Sequence, residues 1–216
     1  MTVMALDMRP SLRGYIHLAS AIAAPFALWY LLHVADSARA YVGASIFGAS
    51  LILLFTTSAS YHLLPWRPRI RRVVKRIDHS AIFALIAGSY TPFCLQTLDL
   101  QQGIPILATV GGLAFVGVVL KLGWPGMPKW IGVAAYLAVG WAGIAALPSL
   151  ATNLAPAAMA LLLISGALYT VGAIAYAARW PNPIPRVFGH HEIFHACVTL
   201  GCAGIYSVVV VVVLPS

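Results

Sequence analysis

Seven apolar segments, each about as long as a bilayer is thick, nearly exhaust this sequence and constrain its fold more than any other feature. A helix needs about 20 mostly apolar residues to cross the hydrocarbon core. Of 216 residues, 61% are hydrophobic and 8% are charged, which is typical of a polytopic membrane protein. The pattern predicts an all-α, seven-transmembrane-helix bundle that forms one domain over residues 1–216. The predicted spans lie near 15–34, 43–64, 77–97, 104–122, 130–149, 156–178 and 188–213.

The first apolar segment has a second interpretation. Arg9 and Arg13 precede it and Ala38-Arg39-Ala40 follows it, an arrangement that resembles a secretory signal with its cleavage site. The run is long for a signal peptide, and its removal would leave six spans. We therefore favour a membrane span.

The basic residues predict the orientation of the bundle. Seven spans alternate the connecting segments between two sides, and twelve of the thirteen Lys and Arg residues then fall on the N-terminal side. Because cytoplasmic segments carry the excess of Lys and Arg, we expect a cytoplasmic N-terminus and an outer C-terminus. Only Arg39 falls on the opposite side. The twelve are Arg9, Arg13, Arg67, Arg69, Arg71, Arg72, Lys75, Arg76, Lys121, Lys129, Arg179 and Arg186.

The net charge of +8 does not indicate nucleic acid as a partner in this context. Basic residues beside membrane spans set the topology and meet anionic lipid headgroups. Cys94, Cys197 and Cys202 lie in apolar stretches without paired spacing, so neither a disulfide framework nor a cysteine zinc motif is predicted.

The last span begins with the motif His191-Glu192-Ile193-Phe194-His195. A helix places residues i and i+4 on one face, so both imidazoles can reach one metal ion. The same spelling is the zincin signature, in which the Glu is the general base. A metalloprotease of this kind needs a further acidic ligand, and no Asp or Glu follows Glu192.

Two further ionisable residues are predicted at the same membrane depth, with a serine one turn deeper. Ionisable groups in a membrane are expensive and are functional candidates by default. His62 lies at the inner end of the second span, with Ser58 one helical turn deeper, and Asp78 lies at the inner start of the third. We therefore predict a zinc site with His62, His191 and His195 as ligands.

Each of these residues also has a structural interpretation. His62 can snorkel to the headgroups, and Asp78 can cap a helix or pair with Arg76. Their shared depth favours the metal site. Glu192 points to another helix face and is a candidate cap. The remaining histidines are expected to be interfacial or structural: His17, His33, His79 and His190.

Motifs along the whole chain resemble those of the haemolysin III family. Ser58-x-x-x-His62 is followed by the run Ile77-Asp78-His79-Ser80-Ala81-Ile82-Phe83 and by Ala87-Gly88-Ser89-Tyr90-Thr91-Pro92-Phe93, and the last motif is Phe188-Gly189-His190-His191-Glu192-Ile193-Phe194-His195. This family belongs with the progestin and adipoQ receptors and is more distantly similar to alkaline ceramidases.

The resemblance implies a zinc ion held by three histidines near the cytoplasmic face. On this chain the ligands would be His62, His191 and His195, with Asp78 beside the metal water and Ser58 completing the set. One departure is Ile205, near which relatives often have a histidine.

Three classes of function remain open at this point. The first is a zinc-dependent hydrolase of a lipid amide such as a ceramide, with Asp78 and Ser58 as catalytic residues. The second is a non-enzymatic regulator of membrane lipid homeostasis, or a cytolysin, in which zinc only joins the helices. The third, an intramembrane metalloprotease, lacks its acidic ligand. The expected partner is a membrane lipid, with a sphingolipid or a fatty acid as candidates, and the sequence does not indicate an oligomeric state.

A retinal protein is excluded because the last span contains no Lys for a Schiff base.

Overall fold

The computed structural model describes residues 12–184 and 186–213, and every extended element in those residues is helical. Lipid offers no hydrogen-bond partners, so a backbone that crosses a membrane must satisfy its own polar groups, and a helix does so. The predicted all-α fold is thus confirmed. The helices are α1 (Tyr15–Val34), α2 (Ala38–Leu63), α3 (Pro68–Pro92), α4 (Leu100–Gly123), α5 (Lys129–Trp141), α6 (Leu147–Asn153), α7 (Pro156–Ala178) and α8 (His190–Val213).

Six helical units in the described residues are long and apolar enough to cross a membrane. They are α1, α2, α4, the combined segment Lys129–Asn153, α7 and α8. Their outer surfaces carry large apolar side chains, of which Phe26 is 70% and Phe115 69% exposed. In a soluble protein such a surface would be an aggregation liability, and here it faces lipid. The chain is therefore a multi-pass membrane protein.

Helix α3 is the seventh long helix, and its first half is basic rather than apolar. It begins at Pro68, nine residues before the predicted start near residue 77, because proline suits the first turn of a helix and nothing breaks the helix between them. At its other end the helix widens into a π-helical turn, Phe93–Thr97, closed by a hydrogen bond of 3.1 Å from Leu98 N–H to the Phe93 carbonyl. That this helix spans the membrane stays a prediction.

The fifth predicted span is an interrupted helix. Helix α5 ends at Trp141, a 3₁₀ turn follows at Ile144–Ala146, and α6 completes the segment. The hydroxyl of Tyr90 donates to the Gly140 carbonyl at 2.5 Å and accepts from Gly143 N–H at 3.3 Å. Tyr90 thus supplies partners for backbone groups that the interruption releases.

The core lies between α1, α2, α3 and α8. Leu31, Ala40, Ala44 and Val209 are fully buried there, and small residues on α2 allow close approach of its neighbours. A side chain at Gly43 would press on the backbone of Pro92 in α3. Residues of α2 and α8, the helices that carry the motif histidines, thus belong to one core.

Contacts between helix ends show that most basic residues share one end of the bundle, which we call the basic end. Arg76 donates to the Leu122 carbonyl at 3.2 Å, and Lys129 donates to the Tyr176 carbonyl at 3.4 Å. Arg39 and Asp99 lie near the opposite ends of these helices, and Arg9 lies outside the described residues. The basic residues of this end are Arg13, Arg67, Arg69, Arg71, Arg72, Lys75, Arg76, Lys121, Lys129, Arg179 and Arg186. That this end faces the cytoplasm stays a prediction.

Candidate metal centre

The three predicted ligands come together at the basic end, where the last turn of α2 meets the first turns of α8. His191 and His195 are one turn apart on α8, with ring centroids separated by 4.7 Å. His62 on α2 faces them, and its Nε2 lies 3.3 Å from Nε2 of His191. One nitrogen from each ring lies within 4.8 Å of the others. This cluster could hold a metal ion.

One distance in the cluster, between His62 and His191, matches the spacing of two ligands in a tetrahedral zinc site. Zn–N bonds of about 2.0–2.1 Å at a tetrahedral angle place two ligand nitrogens about 3.3–3.4 Å apart. The distance between the Nε2 atoms of His62 and His191 is 3.3 Å, although an N–H···N hydrogen bond has a similar length. His195 is 2% exposed, so its imidazole is removed from bulk water. Three neutral imidazoles are a common donor set for catalytic zinc.

His17 joins this cluster, although the sequence predicted a structural residue. Its ring stacks on that of His195, with centroids 3.9 Å apart and planes inclined by 6°. Nδ1 of His17 lies 2.8 Å from the hydroxyl of Ser58, and the residue is 2% exposed. The sequence signal that could have revealed this contact is membrane depth. Residue 17 lies in the first turn of α1, at the same end of the bundle as the other histidines.

Ser58 lies one turn deeper than His62 on α2, as the helical spacing predicts. It is buried, and its hydroxyl is hydrogen-bonded to His17 rather than to a metal-ligand nitrogen. Ser58 therefore contacts the three grouped histidines only indirectly: it is hydrogen-bonded to His17, and the ring of His17 stacks on His195.

Asp78 is buried on α3, beside the histidine cluster but outside the set of converging nitrogens. Its Oδ2 lies 3.4 Å from Nδ1 of His79, and the residue is 8% exposed. Asp78, Ser58, His191 and His195 all line one cavity. The carboxylate thus faces the same space as the histidines without being one of the three grouped ligands.

Glu192 is occupied away from the cluster. Its Oε1 accepts from Arg13 Nε at 2.8 Å, and its Oε2 accepts from the N–H of Gly189 at 2.9 Å. The second bond satisfies a free donor at the start of α8, as the third helical residue of a capping box does. This is the predicted helix-cap role.

The other two histidines named in the sequence have separate partners. His190 faces away from its neighbour, with Nδ1 2.8 Å from the side-chain oxygen of Asn182. His33 stacks on Trp29 at the far end of α1, with centroids 5.5 Å apart.

An apolar cavity of about 220 Å³ extends from the cluster into the bundle. Asp78, His191 and His195 lie at one end, and Leu150 in α6 also lines it. Apart from the groups at the cluster and a few hydroxyls, its walls are aliphatic and aromatic. Ile205 lines the cavity as well and adds to its apolar wall. The cavity has the polarity that suits an acyl chain.

Fold and site together define a class: multi-pass helical membrane proteins with a buried histidine cluster at one end of the bundle. Residues 7–206 match the family model described as "Haemolysin-III related". The chain is 33% identical over 184 residues to the hemolysin-3 homolog of Bacillus subtilis (strain 168), covering 84% of this chain and 83% of that protein. It is 35% identical over 180 residues to hemolysin-3 of Bacillus cereus, covering 83% and 79%. The chain belongs to the haemolysin III family.

Proposed function

We propose that this protein is a zinc-dependent hydrolase that cleaves a lipid amide, such as that of a ceramide. The observation that carries the proposal is the junction between the histidine cluster and the apolar cavity. His191 and His195 line this cavity together with Asp78 and Ser58. A lipid with its acyl chain in the cavity would have its amide beside the cluster.

His62, His191 and His195 would hold the zinc ion. Bound there, zinc would lower the pKa of a coordinated water toward about 7 and polarise the amide carbonyl. In the proposed hydrolysis, the carbon–nitrogen bond breaks, the water oxygen joins the acyl carbon, and the products are a fatty acid and an amine.

Asp78 is the proposed general base. Its carboxylate lines the cavity from α3, opposite the ligands on α8, and it is not one of the grouped ligand residues. It is therefore free to take a proton from the attacking water and to deliver it to the leaving amine. His79, at 3.4 Å from its Oδ2, would orient the carboxylate.

Ser58 is the proposed second polar group, with a role exerted through His17. The 2.8 Å contact between Ser58 Oγ and His17 Nδ1 orients the imidazole that stacks on His195. Buried partners of this kind orient ligands and tune the metal.

The proposed topology has seven spans, a cytoplasmic N-terminus and a location in the bacterial plasma membrane. The basic end would then lie at the cytoplasmic face, as the excess of Lys and Arg requires. The histidine cluster at this end would lie at headgroup depth, where the amide of a membrane lipid resides.

A second function is favoured because the three histidines come from two helices that are far apart in the sequence. His62 comes from α2, whereas His191 and His195 come from α8, so a metal there would join two distant helices. The protein would then be a non-enzymatic regulator of membrane lipids with structural zinc. The names of its relatives point instead to a cytolysin.

Hydrolysis of a lipid amide by the purified full-length protein distinguishes these functions. The protein is reconstituted in nanodiscs with a panel of N-acyl lipids, and free fatty acid is measured before chelation, after chelation and after zinc is restored. We expect release that chelation abolishes and zinc restores. Zinc-loaded protein that releases no fatty acid from any lipid, but loses thermal stability on chelation, would refute the hydrolase and support structural zinc.

A further inference from the structure

Two half-buried lysines at the basic end lie over tyrosine rings that border the candidate metal centre. The ammonium of Lys129, at the start of α5, is 3.8 Å from the ring centroid of Tyr176. The ammonium of Lys121, at the end of α4, is 5.5 Å from the ring centroid of Tyr136. Both distances are in the range of cation–π attraction.

Each tyrosine in turn contacts a histidine of the site. The ring of Tyr176 packs edge-on against His191 with centroids 5.3 Å apart. The hydroxyl of Tyr136 donates to the carbonyl of His79 at 3.0 Å. Both tyrosines line the apolar cavity. The lysines are thus one side chain away from the cavity and from the histidine cluster.

Arg71 repeats this arrangement on a third side. Its guanidinium carbon is 5.3 Å from the ring centroid of Tyr61, and that ring packs edge-on against His62 at 4.6 Å. Three cations of the basic end therefore lie over tyrosine rings that contact histidines.

Among the described residues, no carboxylate balances the positive charge of the two lysines. Of the four described acidic residues, Glu192 is paired with Arg13, Asp78 lies beside His79, and the other two belong to the opposite end. Within the described ranges, neither lysine has a carboxylate at ion-pair distance. Partly desolvated ammonium groups without a counter-ion attract an anion.

Gly132 shows that the chain leaves space for one of these ammonium groups. The Lys121 ammonium lies against Gly132 in α5, where a Cβ would overlap it, and Gly132 is buried. Lys121 is therefore drawn in between α4 and α5, although an exposed lysine at a membrane surface normally extends toward water.

We propose that Lys121 and Lys129 bind the phosphate of an anionic membrane lipid whose acyl chain occupies the cavity. Two ammonium groups provide the point charges that bind phosphate oxygens. The apolar walls beyond Tyr136 and Tyr176 favour a lipid over a free anion. This inference rests on the proposed lipid function and narrows its substrate class from amide lipids in general, the uncharged ceramide included, to those that carry a phosphate.

The test measures lipid binding instead of hydrolysis. Detergent-purified full-length protein is titrated with dioleoyl phosphatidic acid and with dioleoyl phosphatidylcholine, and the first bound lipid is quantified by native mass spectrometry. Inorganic phosphate is added as a competitor in a separate arm. The variants are Lys121→Gln and Lys129→Gln, with Arg72→Gln as control, because Arg72 is an exposed cation of the same end.

We expect the wild type to prefer phosphatidic acid, and each lysine variant to weaken its binding by about tenfold, the value of one charged hydrogen bond. Arg72→Gln should leave the affinity unchanged, and inorganic phosphate should not compete at equal concentration. An equal loss in Arg72→Gln, unchanged binding in the lysine variants, or effective competition by inorganic phosphate would each overturn the proposal. Thermal unfolding of the variants in detergent verifies that they are folded.

Failure of this inference is separate from failure of the hydrolase. Selective phosphatidic acid binding without fatty acid release from any lipid would leave the anionic site in place and refute the enzyme. Release from neutral ceramide, without selective binding, would refute only the anionic site.

Discussion

The Nε2 atoms of His62 and His191 lie 3.3 Å apart, although the two residues are separated by 129 positions in the chain. This distance equals the edge of a zinc tetrahedron, about 3.3 Å. His62 lies on α2 and His191 on α8, so an ion bound by both would join these two helices. Such an ion would contribute both to the chemistry of the site and to the stability of the bundle.

His191→Ala should remove zinc from the purified protein. The variant lacks one of three grouped ligands. Loss of a residue that only orients a ligand lowers metal affinity by up to about 100-fold, and loss of a ligand itself should lower it further. Zinc is measured by mass spectrometry of the metal after dialysis against a weak chelator. His190→Ala is the matched control, because this neighbouring histidine contacts Asn182 instead. Full zinc occupancy in His191→Ala would refute the site.

Asp78→Asn should separate zinc binding from catalysis. Zinc should remain bound, because Asp78 is outside the grouped ligands, whereas fatty acid release should fall by about 10²- to 10⁴-fold with the loss of the general base. The readouts are zinc content and the initial rate of release in nanodiscs. Asp99→Asn changes a carboxylate at the start of α4 and should alter neither value. Undiminished release in Asp78→Asn would show that another group is the base.

His17→Ala should lower zinc affinity without removing a ligand. The substitution deletes the ring that stacks on His195 and the partner of Ser58, and the loss of such an orienting residue costs about 10- to 100-fold in metal affinity. His17→Phe keeps a ring for stacking but removes the hydrogen bond, so its affinity should lie between those of the alanine variant and the wild type. Zinc affinity is measured by competition with a chelating dye.

His33→Ala is the control on the same helix, since His33 stacks on Trp29 at the far end of α1. Wild-type zinc affinity in His17→Ala would contradict the orienting role.

Apolar length predicted helices well where a helix and its apolar run coincide. Helices α1 and α7 have the predicted bounds, 15–34 and 156–178. Helix α2 begins five residues before the predicted start because the hydroxyl of Ser37 accepts from Ala40 N–H and caps it there. Helix α3 extends into a basic segment that has no hydropathy signal. Apolar runs report where a helix meets lipid, and its ends are set by local hydrogen bonds.

The part of the candidate site that depends on spacing within one helix and on membrane depth was predictable, whereas the part that depends on packing between helices was not. The spacing of His191 and His195 is a property of one helix, and depth brings His62 to their level. The position of His17 depends on how α1 packs against α2 and α8, so its contacts with Ser58 and His195 are visible only in the folded chain. The interruption between α5 and α6 likewise depends on Tyr90, a residue of another helix.

Glu192→Gln should leave zinc content and fatty acid release unchanged, because its carboxylate bonds Arg13 and the N–H of Gly189. A glutamine keeps an oxygen for the cap, so the loss of stability should be small. Arg13→Ala should cost more, about 3 kcal/mol, because it leaves the buried carboxylate without its counter-ion. Thermal unfolding in detergent measures both. Abolished release in a zinc-loaded Glu192→Gln protein would support the zincin role for Glu192.

Tyr90→Phe should destabilise the interrupted span. The hydroxyl of Tyr90 is bonded to the Gly140 carbonyl and to Gly143 N–H, and its removal leaves these backbone groups without that partner. Gly143 is buried, and leaving a buried polar group unpaired costs about 1–3 kcal/mol. Since only this segment loses a hydrogen-bond partner, we expect faster hydrogen exchange confined to the segment between α5 and α6, together with a lower thermal midpoint. Tyr41→Phe, which alters an exposed ring on α2, should change neither. Unchanged exchange in Tyr90→Phe would show that the interruption is maintained by the packing of α5 and α6 alone.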